Sequence, residues 1–157
     1  MLYNVSFIQI IQSQYDAAFN MLENAIKDCP TSLWNDGTYK NKYWHIAFHT
    51  LFYSHLYLSE SKELWEKYRK GYQYLNADLE PYSQQDVLEY LELCRKQIDQ
   101  RIPVIDLEAE AGFSWLPMNK LEMLIYNLRH IQHHTGQLID RLREKENISS
   151  KWVVNKA

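Results

Sequence analysis

The sequence predicts an all-α protein, a four-helix bundle with one long connection between its second and third helices. Three observations carry this. Four segments repeat apolar residues at the three-and-four spacing of a helix that buries one face. Two of the connections between them are short or moderate and one is long, which suits helices packed as a bundle. The chain of 157 residues shows no internal repeat and no second-domain boundary, so residues 1–157 read as one domain with one core.

The first helix is expected from Val5 to about Lys27, with Phe7, Ile10, Ile11, Tyr15, Ala18, Phe19, Leu22 and Ile26 turned inward. Cys29 to Ser32 end it, and Asn35-Asp36-Gly37 gives a turn signal before the next segment. The second helix, from about Lys40 to Leu58, contains no proline or glycine and is apolar or aromatic almost all round. Such a helix is buried on more than one side, against its neighbours and, as an expectation, against a second copy in a homodimer. Between Ser59 and Ser83 the composition is mixed, and one short helix is expected at Lys62 to Lys70. The third helix opens on Ser83 with Asp86 three residues on, carries Val87, Leu88, Leu91, Cys94 and Ile98 on one stripe, and stops before Pro103. The fourth starts near Pro117 to Asn119 and runs to about Lys145, with Leu121, Leu124, Leu128, Ile131, Leu138 and Leu142 inward. In the tail, Trp152, Val153 and Val154 are expected to dock back onto the bundle.

Composition narrows the function. A net charge of −3 and no basic stripe argue against nucleic acid as a partner. No apolar run of about 18 residues is present to cross a bilayer, and the start lacks a positive n-region, so a cytoplasmic setting is expected. Two cysteines, Cys29 and Cys94, are too few for a disulfide scaffold and lack C-x-x-C spacing, although a single Cys29 to Cys94 pair stays open. Four isolated glycines make no phosphate-binding loop.

The histidines are the most informative residues. All six fall on two helices: His45, His49 and His55 on the second, and His130, His133 and His134 on the fourth. Residues four apart on a helix lie one above the other, so His130 with His134, and His45 with His49, can each aim two imidazoles at one ion. His133 points about 100° away from its neighbour. Imidazole suits Zn, Ni, Cu or Fe, and three histidines with an open position make a catalytic type of zinc site. The plainer alternative is that each histidine is packed and hydrogen-bonded in the core.

The segments YWHIAFHTLFYSHLYL and LRHIQHHTGQLIDRLR and the closing KWVV resemble the DinB-like helical bundles, a group that includes bacillithiol S-transferases. The resemblance spans nearly the whole chain by helix order. Its specific part is small: a helix-2 histidine with an apolar lead-in, then H-x-x-x-H with Gly136-Gln137 shortly after. It implies a bundle of DinB-like type in which His49, His130 and His134 bind a divalent metal, zinc or nickel, with His45 as the alternative to His49. It also implies a metal-dependent enzyme, a transferase using a low-molecular-weight thiol ahead of a hydrolase, acting on a small-molecule substrate. Gln137 and Tyr53, about one turn from His134 and His49, are placed to orient a ligand, although ordinary packing would also explain them. The intervening residues Ile131, Gln132 and His133 lack the general-base carboxylate of HExxH, which counts against peptide hydrolysis. A second reading is a non-catalytic metal-binding or stress-response bundle that dimerises through the aromatic face of the second helix.

Overall fold

In a computed structural model, residues 6–59, 75 and 79–155 are described, and they are all-α: the only β feature among them is an isolated bridge between Glu110 and Asn119. The elements are α1 (Phe7–Lys27), a single turn α2 (Thr31–Trp34), α3 (Tyr43–Leu58), α4 (Gln84–Arg101) leading into a 3-10 turn (Ile102–Val104), and α5 (Lys120–Glu146). The short helix expected at Lys62 to Lys70 lies outside the described residues.

The ends follow local chemistry. Ser6 caps α1 and Ser83 caps α4, each as a capping box in which the residue three positions on, Gln9 or Asp86, returns a bond to the cap backbone. Asn119 accepts from the Glu122 N–H at the start of α5, and Asn147 closes that helix in the left-handed region. Pro103 falls within the 3-10 turn, so α4 ends where a proline forbids its continuation.

The four long helices surround one core, with α1 and α3 each packed chiefly on α4 and α5. Direction can be read from the cross-links. The Tyr15 hydroxyl donates to the Leu124 carbonyl at 2.9 Å, and Gln132 reaches Met21, so α1 and α5 run parallel. The Arg141 guanidinium donates to the Asn41 carbonyl while Tyr57 packs on Tyr126, so α3 and α5 run antiparallel. Phe48 stacks on Tyr82 and Gln97 donates to the His55 carbonyl, which makes α3 and α4 parallel neighbours. Parallel neighbours cannot be joined by a tight turn, because the chain must return the length of a helix, about 24 Å for the 16 residues of α3. The long connection expected between the second and third helices falls at this place.

Several expectations need correction. The first helix begins at Phe7 rather than Val5, because Ser6 is its cap, and Phe7 and Ile10 are exposed instead of inward, lying at a helix end without a neighbour to cover them. The segment from Thr31 is a further helical turn, with Leu33 and Trp34 buried, rather than a plain terminator. The second helix starts at Tyr43, three residues later than expected. Trp152 and Val154 are 68% and 71% exposed and do not dock as expected, whereas Val153 between them is partly buried. The aromatic face of α3 is covered by its own chain, and only His49 and Tyr53 along the helix are incompletely buried. Cys29 and Cys94 are both buried free thiols, with no bridge between them.

Candidate metal centre

Two antiparallel helices bring three of the six histidines together. His49 on α3, with His130 and His134 on α5, each offer one ring nitrogen, and these atoms all lie within 4.8 Å of one another. The Nε2 atoms of His49 and His130 face each other at 3.2 Å. The three rings pack edge against face at centroid distances of 4.6 to 5.1 Å.

The other three histidines are placed elsewhere. His45 is buried and stacked on Trp44 at 4.6 Å, one turn from the cluster and not part of it. His55 is paired through Nδ1 with the Tyr90 hydroxyl at 3.0 Å, a core histidine with its polar atom satisfied. His133 is exposed, in keeping with its expected direction, although its ring edges against His134.

The donor set suits a cation. With metal–nitrogen bonds near 2.0–2.1 Å, two ligands of a tetrahedral ion stand about 3.3 Å apart, close to the separation of the facing Nε2 atoms. The wider spacing elsewhere in the triad asks for a small rotation of an imidazole. Burial and the neighbouring histidines push the His130 pKa down to about 3, and burial lowers that of His134, so both rings are neutral at pH 7 and carry the lone pair that ligation needs.

The two α5 histidines differ in their support. His134 Nδ1 lies 2.8 Å from Gln137 Oε1; the amide oxygen accepts, which puts the proton on Nδ1 and turns the Nε2 lone pair toward the cluster. His130 Nδ1 is buried with no such partner. Gln137 is thus the residue that fixes a tautomer. Tyr53 packs at 4.9 Å on His49 and at 5.4 Å on His130, forming a wall of the cluster. Its neighbour Tyr57 contacts Phe113 and Tyr126, and Phe113 contacts Trp115, so aromatic rings continue from the cluster to the surface.

Phe113 and Trp115 come from the loop before α5, which folds back through the Ala111 N–H to Met118 carbonyl bond and turns at Gly112, whose φ of +86° favours glycine. No periodicity marks these residues, and the only sequence signal is Gly112 itself.

Among the described residues, no acidic side chain joins the histidines in this group. Three neutral ligands would leave a divalent ion with its full charge, so an open position favours an anion. The protein's own thiols are unsuited to supply one: burial is the largest cause pushing Cys29 up to about 12, and it also raises Cys94, keeping both protonated and inert.

No protein-family model, curated protein or solved structure matches the chain. No described helix is long and apolar enough to cross a membrane.

Proposed function

We propose that this chain is a divalent-metal-dependent enzyme built as a four-helix bundle of DinB-like type, and that it is a thiol-dependent S-transferase of the cytoplasm. The observation that carries the reading is the convergence of His49, His130 and His134, their ring nitrogens within 4.8 Å of one another, in a group that no acidic side chain joins among the described residues. His49, His130 and His134 would hold zinc or nickel, the ions that combine imidazole ligands with an exchangeable position.

A bound divalent ion there would stabilise the thiolate of a small thiol at neutral pH. The residues around it do the rest. Gln137 keeps His134 in the ligating tautomer, and Tyr53 confines the approach beside His49 and His130. In transfer to an electrophile such as a chlorinated arene, a sulfur–carbon bond forms, the carbon–chlorine bond breaks, chloride departs and the thiol proton passes to solvent. Hydrolysis ranks lower because the His130–His134 segment lacks the carboxylate of HExxH and, among the described residues, no Asp or Glu joins the three histidines as a general base.

The test joins metal analysis with turnover. Protein purified without chelator should contain one zinc or nickel per chain and transfer a small thiol to the arene, and His134→Ala should lose both. Stoichiometric metal without turnover for any thiol would leave the non-catalytic metal-binding reading in its place. A homodimer is proposed as well, through a surface other than α3, and light scattering measures it directly.

A further inference from the structure

The metal-site face of α5 continues past His134. His130, His134, Gln137 and Arg141 follow one another at spacings of four, three and four, one stripe along the helix. Beyond His134 this stripe enters a cavity of about 260 Å³ between the end of α5 and the segment that leads into α3, lined by Tyr39, Asn41, Gln137, Asp140, Arg141 and Glu144 among others.

Two charges in this cavity form no direct ion pair among the described residues. The Arg141 guanidinium is half-buried; it lies 3.9 Å over the Tyr39 ring and donates one N–H to the Asn41 carbonyl at 2.8 Å. No carboxylate forms a direct ion pair with it among the described residues, Asp36 acting on it only from further off, and burial lowers its pKa, the mark of a desolvated cation. Glu144 likewise has no ion-pair partner among the described residues, whereas Asp140 is engaged by Arg143 at 2.5 Å. A fixed planar cation, with donors to spare, faces a cavity that also holds a free carboxylate. Such a lining is complementary to a small molecule bearing both charges. The C-terminal end of α5 adds its own negative potential on the Glu144 side, where it favours an ammonium group.

We infer that this cavity binds a small zwitterion of the α-amino-acid type, Arg141 taking the carboxylate and Glu144 the ammonium, with Gln137 joining the bound molecule to His134. Occupancy of this cavity does not require metal at the histidines.

The experiment uses the full chain, stripped of metal, and follows thermal unfolding with a panel of α-amino acids and with matched carboxylic acids and amines that lack one charge. An α-amino acid at about ten times its Kd should raise the melting temperature by roughly 3 °C or more. Arg141→Gln and the exposed Glu144→Gln should each weaken binding at least ten-fold, and Arg129→Gln, at an exposed α5 residue outside the cavity lining, should leave it unchanged. Glu144→Gln guards against a folding defect in the Arg141 variant. The proposal is overturned if no amino acid shifts the transition, if the carboxylic acids match the amino acids, or if binding survives in both charge variants. Because the binding is read on metal-free protein, a failure here and a failure of the metal reading are told apart.

Discussion

Gln137 makes one hydrogen bond that sets which nitrogen of His134 carries a proton, and His130 has no equivalent support. Gln137→Ala is therefore expected to weaken zinc binding about 10- to 100-fold while leaving the helix folded, the usual effect of losing a partner that orients a ligand. Competition with a zinc indicator measures it; unchanged affinity would show that Gln137 is only a surface residue. His45 and His49 show what sequence can and cannot decide at this scale. Four apart, they share a helix face, and only the reach of α5 separates a ligand from a core ring stacked on Trp44. The spacing of His130 and His134 needed no such tertiary information, since one helix holds both.

Helix ends were the most legible elements. Ser83 with Asp86, Pro103 and Asn119 mark real boundaries because capping is local chemistry. Ser83→Ala removes a side chain that accepts from the Asp86 N–H, and should cost about 1 kcal/mol, lowering the melting temperature by roughly 2–4 °C. Urea unfolding of the variant checks this, and a loss below 0.3 kcal/mol, set against the usual range for such caps, would mean the box contributes little. The fate of apolar residues at chain and helix ends was less legible. Periodicity places Phe7 and Ile10 on the face of Ile11 and Tyr15, but it says nothing of whether a neighbour extends far enough to cover them. Phe113 and Trp115 escaped for a related reason: they sit in a loop, where no period aligns side chains with a site.

For the whole molecule, neutral histidines inside the fold make stability depend on pH even without metal. The folded state holds His130 neutral down to about pH 3, whereas in the unfolded chain a histidine takes up a proton near pH 6.5. Between these values the unfolded state binds more protons, so stability rises with pH. This contribution is complete above pH 6.5 and is lost as pH falls toward 3. Urea unfolding of metal-free protein at pH 5 and pH 7.5 should show the decline, and His130→Gln should flatten it; an equal slope in both proteins would remove His130 as its source.

The arrangement of parallel and antiparallel neighbours also governs the order in which partners become available during synthesis. The apolar face of α1 packs on α4 and α5, and Tyr15 bonds to the carbonyl of Leu124, 109 residues further along. At 5–20 residues per second, a ribosome needs roughly 5 to 20 s to deliver that partner after Tyr15 is made. For most of that interval Phe19, Leu22 and Ile26 lack both helices that will bury them, since α4 begins only at Gln84 and α5 is made later still. Until its last helix emerges, the newborn chain carries an α1 face that only part of its final neighbours can cover.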